Sequence, residues 1–352
     1  MSKPMKTKPI AVLISDVHYN LQTLPLADAA MHMAIDKANE LNVALIVAGD
    51  LHDTKANVRG ECMAAMKKTF NKAINPVTIL RGNHDSINEK STEHSLQFLP
   101  MNCSIVAVPR KYDVGILKHW IGDLQAYFVP YFHNPNELRE YLQTIPIDSL
   151  VIMHQGVQGS NSGDYIQDKS AIMKEDVKDF RVISGHYHAR QDIRCGRPRT
   201  GNVGLFSFIG NPYTLSFGEA KDPEKGFQIL HDDGSLEFVP TNLRKHVIVD
   251  CYMEGETLNL PSPENIKPND LVWVKVKGTR QELASSLISR KGLAAFLRIN
   301  ENFKLDLIPT DTKAEVVNAN LSKLELMDNI IDSLAKSDQS KRLKQTWRDL
   351  CD

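Results

Sequence analysis

The chain has 352 residues, with 42 Lys plus Arg against 43 Asp plus Glu and a formal charge of -1, so no global positive field draws it to a polyanion, and nucleic-acid contact must come from local patches. Hydrophobic residues at 42% and charged residues at 24% exclude a disordered or fibrous chain. The length exceeds the roughly 250 to 300 residues that one core usually fills, which predicts two domains and a tail.

The chain starts with a basic stretch and an apolar run, Ile10 to Ile14, too short for a signal-peptide core and read as a first strand. A helix follows with Ala27, Ala30, Met31, Ala34, Ala38 and Leu41 on one face, then the strand-like run VALIVA at 43–48. A second helix over Glu61 to Lys72 leads into VTIL at 77–80, and further core strands are expected at Ser149 to Met153 and Arg181 to Ser184. The alternation predicts an α/β fold with helices packed on sheet. From Gly204 to Val239, strands split by Gly, Pro and Asp-Asp-Gly turns predict antiparallel sheet that finishes a first domain, residues 1–241. Residues 242–312, with VIVDCY, LVWVKVKG, a helix from Arg280 to Leu297 and FKLDLI, form a small α/β domain. In the tail, 313–352, Leu324, Met327, Ile331 and Leu334, then Leu343, Trp347 and Leu350, recur at helical spacings. The cysteines at 62, 103, 195, 251 and 351 make no C-x-x-C pair, which points to a reducing cytoplasm. No stretch approaches the roughly 18 apolar residues of a membrane span, so no membrane partner is expected.

Polar clusters follow five apolar runs: Asp16 with His18, Gly49-Asp50, Gly82-Asn83-His84-Asp85, His154-Gln155-Gly156, and Gly185-His186-Tyr187-His188. Any one of them is ordinary turn chemistry or a hydrogen-bonded histidine. Together, each at a strand end, they predict a shared crevice beyond the carboxyl ends of the strands. Asp16, His18, Asp50, Asn83, His154, His186 and His188 offer only nitrogen and oxygen donors, which suit Mn, Fe or Zn. Seven donors exceed one ordinary site and suit two ions about 3.5 to 4 Å apart, the arrangement that clamps both oxygens of a phosphoryl displacement. Alternation along a strand would point Asp16 and His18, and likewise His186 and His188, to one side.

These motifs resemble the calcineurin-like metallophosphoesterases, whose pattern D-x-H, G-D, G-N-H-D/E, H and G-H-x-H is matched in full. The resemblance implies a layered β-sheet sandwich flanked by helices, with one ion on Asp16, His18, Asp50 and His188 and a second on Asp50, Asn83, His154 and His186. It also implies that His84 serves the leaving group and that Asp53 orients His84. His52, inside the same motif, is a departure. Two further stretches, GDLHDTKANVRG and FIGNPYTLSFGEAKDPEKGF, resemble SbcD-type DNA nucleases, with Asn211 where that family often has Ser. That likeness implies a Mn-dependent exonuclease or endonuclease of DNA repair and recombination, a DNA-capping domain over 242–312, a homodimer, and an SbcC-type coiled-coil ATPase partner that the tail grips. The short length is similar to that of bacteriophage versions, which would work in the host cytoplasm.

Arg190, Arg194, Arg197 and Arg199, with Arg181 nearby, make the segment after His188 locally basic, either as a hold on DNA phosphates beside the metals or as a solvated loop. Two other functions share the motifs. A phosphatase would use the same ions but has no need of the segment after Thr241. A non-hydrolytic DNA-end tether would have no need of seven ligands and His84.

Overall fold

The computed structural model describes residues 7–311 and 344, apart from 56, 89–92, 101, 108–117, 122–123, 162–169, 197–203, 223, 262–265 and 285–287. The chain runs β1 (Pro9–Ile14), α1 (Leu24–Leu41), β2 (Ala44–Val47), α2 (Gly60–Phe70), β3 (Val77–Leu80), β4 (Cys103–Val106), β5 (Lys118–Ile121), β6 (Leu124–Val129), α3 (Pro135–Leu142), β7 (Leu150–His154), β8 (Arg181–Gly185), β9 (Gln191–Arg194) and β10 (Leu205–Phe208). It continues with β11 (Gly226–His231), β12 (Leu236–Pro240), β13 (His246–Glu254), β14 (Thr257–Asn259), β15 (Leu271–Gly278), α4 (Arg280–Leu283), α5 (Arg290–Leu297) and β16 (Lys304–Pro309).

One sheet has the order β12-β11-β1-β2-β3-β4 and a second the order β5-β6-β7-β8-β10-β9. Within them β1, β2 and β3 are mutually parallel, as are β6, β7 and β8. The pleat of β1 explains the layering. Ala11 and Leu13 join a core that includes Phe128, Ile152, Ile183 and Phe206 of the second sheet, while Val12 and Ile14 join one built on Ala30, Ala34 and Ile35 of α1 and Phe70 of α2. Two sheets therefore face each other, with helices on the outer side of the first. This is the α/β sandwich expected of the motifs.

α1 carries Pro25 in its first turn and ends on Asn42 in the left-handed conformation (φ 54°, ψ 49°), whose N–H bonds Ala38 O and Asn39 O. Its buried face is Ala27, Ala30, Met31, Ala34, Ile35 and Ala38, the predicted stripe with Ile35 added and Leu41 only half-buried.

The chain divides into two compact units, one of Met1–Val249, Ser262–Val274 and Leu293–Lys304, the other of Asp250–Pro261, Lys275–Gly292 and Leu305–Asp352. A third sheet has the order β14-β13-β15-β16. The single helix expected from Arg280 to Leu297 is two helices. Thr279 and Glu282 form a capping box on α4, and a fresh start before α5 comes from Ser289, whose Oγ accepts from Gly292 N at 3.1 Å. The tail over 313–352 lies outside the described residues, Lys344 excepted. Among the described residues no helix is long and apolar enough to cross a membrane.

Ile152 is fully buried between the two sheets. Ile152→Ala removes its contacts from a close-packed layer and is expected to cost about 2 to 5 kcal/mol of stability, read by chemical denaturation. A loss under roughly 1 kcal/mol would mean that the two sheets are not tightly packed there.

Candidate active site

The carboxyl ends of β1, β2, β3, β7 and β8 meet at one place, because the parallel register runs on past the strands. Asp16 N donates to Gly49 O (3.1 Å), His18 N to Asp50 O (3.1 Å) and Tyr19 N to Leu51 O (2.8 Å). Asp16, His18, Asp50 and His186 all lie beyond their strands at positive φ, 53°, 50°, 51° and 87°. The strand-alternation argument is thus corrected: left-handed turns, not pleating, aim these side chains inward, and such backbone strain concentrates at functional sites. Two glycines make room. At Gly82 a Cβ would lie 2.1 Å from Asp50 Oδ1, and at Gly49 (φ +94°) 2.2 Å from His154 Nδ1.

Asp85 ties the loops together. Its carboxylate accepts from Asp50 N (2.9 Å), Leu51 N (3.1 Å), His52 N (3.1 Å) and Gly82 N (2.8 Å). His84 N in turn donates to Asp50 Oδ1 at 2.8 Å. The sequence motif alone assigns Asp85 no role. The only clue in the sequence was its place at the end of G-N-H-D.

All seven predicted ligands come together. His18 Nε2 and His188 Nε2 are 3.2 Å apart, with Asp50 Oδ2 3.9 Å from the former. On the other side, His154 Nε2 lies 3.1 Å from Asn83 Oδ1 and 3.3 Å from Asp50 Oδ2, and His186 Nδ1 lies 2.9 Å from Asn83 Oδ1. Asp16 is buried, accepting from His186 N and from Ser15 Oγ. Among the described residues, Asp16, His18 and His188 form one group able to grip an ion and Asp50, His154 and His186 another, with a third grouping of His18, Asp50 and His84 between them.

A cation fits this donor set. His154 Nδ1 donates to Ala48 O at 2.6 Å, so in the neutral ring Nε2 is a lone pair facing two oxygens within 3.3 Å. That contact is repulsive unless positive charge lies among the three atoms. Burial lowers the His154 pKa, yet Asp50 and Asp16 bring it up to about 9. Burial works against Asp50 as well, but His154, His18 and His84 hold its carboxyl well below the usual range. Three histidines have acceptors at their remote nitrogen, the outer layer that orients metal-binding imidazoles. His154 uses Ala48 O, His188 uses Glu219 Oε1 at 2.8 Å, and His18 Nδ1 faces Asp53 Oδ1 at 3.4 Å.

The last contact corrects the expectation for Asp53. The group on His84 Nδ1 is the Asp53 main-chain oxygen, at 2.6 Å, and the carboxylate turns to His18. The His18 imidazole beside it holds the Asp53 carboxyl below its ordinary value. His84 itself stands edge-on to His18, ring centroids 4.8 Å apart. His52 is a buried filler against Phe98, and burial pushes its pKa down and keeps it neutral.

Within the basic segment, Arg194 lies away from this crevice. β9 runs antiparallel to β10 and pairs Arg194 with Leu205, which in turn pairs with Arg181 at the start of β8. Arg194 therefore sits at the end of the sheet opposite the histidines, and Gly204 N bonds Phe180 O there. Arg181 is buried, its guanidinium donating to Val182 O, Leu205 O and Ser207 Oγ. Arg190 is paired with Glu224 (Nε to Oε2 2.7 Å) and stacked 4.9 Å over Phe238. Arg197 and Arg199 lie outside the described residues.

Sequence reading assigned no role to Glu219 and Lys225, although both lie in the quoted stretch ending GEAKDPEKGF. It also missed Tyr131, which lies two residues past β6 and lays its ring 5.5 Å from that of His186.

A buried acidic crevice lined by nitrogen and oxygen donors from two facing sheets defines a metal-dependent phosphoester hydrolase. The chain belongs to the calcineurin-like phosphoesterase family, whose model matches residues 11–203, and that family works with divalent metals. No curated protein matches the sequence. Among solved structures, the crystal structure of Pseudomonas putida nuclease MPE aligns with 66% of this chain and 88% of its own at 15% identity and a TM-score of 0.30.

Asp85→Asn keeps the shape of the side chain but turns an amide donor towards backbone N–H groups. The variant is expected to lose roughly 3 kcal/mol in denaturant titration. Wild-type stability would show that the two loops are held by something else.

Proposed function

We propose that this chain is an SbcD-type DNA nuclease that hydrolyses phosphodiester bonds with two divalent ions, Mn preferred. The observation that carries the reading is where the two SbcD-like stretches fall. The first supplies Asp50 and Asp53, and the second supplies Asn211, Glu219 and Lys225 around His188. In this reading Asp16, His18, Asp50 and His188 hold one ion and Asp50, Asn83, His154 and His186 the other. Bound there, the two cations supply Lewis acidity to the phosphate and to the attacking water.

The chain's own groups supply the proton. His84 Nδ1 is committed to the Asp53 carbonyl, so in the imidazolium Nε2 carries the transferable hydrogen. As the water oxygen bonds to phosphorus, the bond to the leaving oxygen breaks and that oxygen takes the His84 proton. Asp50 sits beside His84, its Oδ1 accepting from the His84 backbone N–H.

Residues 242–312 act as the DNA-capping domain, and the tail over 313–352 docks on an SbcC-type coiled-coil ATPase within a homodimeric complex. A helix-in-groove contact of that kind rests on a few apolar side chains, here Leu324, Met327, Ile331 and Leu334.

Incubating the full chain with linear duplex DNA, a small phosphodiester and a small phosphomonoester, with and without Mn, tests the activity. Cleavage of DNA and diester is expected, and hydrolysis of the monoester alone would overturn the reading in favour of a phosphatase. His84→Asn is expected to keep its metal content while turnover falls about 100-fold or more. Wild-type turnover under chemistry-limited conditions would remove His84 from its role. Deleting 313–352 is expected to spare diester hydrolysis and abolish co-purification with an SbcC-type ATPase. Loss of the cooperative melting transition would assign the tail to the protein's own core.

A further inference from the structure

The segment between β10 and β11 folds back over His188, with Asn211 N donating to His188 O at 3.1 Å. It ends in a short 3-10 turn, Phe217–Glu219, started by Ser216 Oγ accepting from Gly218 N. The turn delivers Glu219 to His188. One carboxylate oxygen, Oε1, is 2.8 Å from His188 Nδ1. The other, Oε2, accepts from Asn211 Nδ2 (3.0 Å) and Leu215 N (3.1 Å) and lies 3.2 Å from Lys225 Nζ.

Lys225 is almost fully buried, at 4% exposed, an expensive place for an ammonium unless its donors are used. They are used. Nζ donates to Asn211 Oδ1 (2.5 Å), His188 O (3.1 Å) and Asp222 Oδ2 (2.7 Å). The two Glu219 oxygens thus face the His188 ring nitrogen, the Asn211 amide, the Leu215 N–H and the Lys225 ammonium, surroundings that suit a carboxylate acting as acceptor only. Asn211 is the pivot, giving its N–H to Glu219 and its oxygen to Lys225. A serine hydroxyl at this position is shorter and would have to reach both partners from one oxygen.

We infer that Glu219, clamped by Asn211 and Lys225, is a positioning residue that fixes His188 with Nε2 turned towards His18 and sets the affinity of the ion held on that side alone. The contrast with the other side is chemical. His154 leans on a neutral backbone carbonyl, Ala48 O, whereas His188 leans on a carboxylate, which makes its imidazole the more basic ligand. Removing the charge weakens one ion and leaves its neighbour.

The inference rests on His188 being an ion ligand, and the experiment separates the two. Mn binding to the full chain is followed by EPR titration of free Mn, with thermal melting of each variant, for wild type, His188→Ala, Glu219→Gln and Asn211→Ser. Two binding classes are expected in wild type, and one of them is lost in His188→Ala. Glu219→Gln is expected to weaken that same class about 10- to 100-fold and leave the other within a factor of about two, and Asn211→Ser to shift it in the same direction by less. If His188→Ala binds as wild type, the ligand assignment itself fails. If His188→Ala loses a class and Glu219→Gln binds as wild type, Glu219 has no hold on the ion. Equal weakening of both classes with a lowered melting temperature would make the clamp a general structural support and overturn its selectivity.

Discussion

Everything at the site depends on a carboxylate that is not itself placed as a ligand. Asp85 gathers four backbone N–H groups from two loops that follow neighbouring strands, and no other side-chain chemistry does this so economically, since an ionised carboxylate accepts and never donates. With it in place, Asp50 can occupy a left-handed turn and Asn83 can stand across from His154. The strain of those turns is local. The hydrogen bonds that oppose it are buried, where they count for most.

The second organising feature is charge. Two buried carboxylates, Asp16 and Asp50, sit among the imidazoles of His18, His154, His186 and His188, and most remaining polar atoms around them are used in holding orientation. Ser15 steadies Asp16, Ala48 O steadies His154, and Asp53 faces His18. The crevice therefore favours cations, because buried carboxylates and imidazole nitrogens converge on it. Such preorganisation is what lets electrostatic effects act on phosphoryl transfer.

Much of this was legible in one dimension, for definite reasons. The α1 stripe follows from the helical period, and the seven ligands stood out because each follows an apolar run that had to be a strand. What was not legible depended on distance or on direction. Asp85 acts on backbone groups 35 residues away and Glu219 on a histidine 31 residues away, and neither pairing has a local signal. The resemblance to the metallophosphoesterases paired Asp53 with His84, but a motif cannot say that the Asp53 carbonyl would face one histidine and its carboxylate another. Local basic charge left the arginines after His188 open between a hold on phosphates and a solvated loop, and it gave no sign that the antiparallel β9 carries Arg194 to the far end of the sheet. The helix over 280–297 was drawn unbroken because Leu293, Ala294 and Leu297 keep the apolar period after Ser289 has begun a new helix.

The strand order of the first sheet has a consequence for how the protein comes into being. β1, which delivers Asp16 and His18, is flanked by β2 on one side and on the other by β11, a strand that follows the whole of the second sheet in the chain. The ribosome therefore releases the first ligand loop more than two hundred residues before the strand that seals its edge. Long-range closure of this kind slows folding. It also means that no emerging fragment that stops short of β11 holds a finished crevice, so the site is completed only once β11 has left the ribosome.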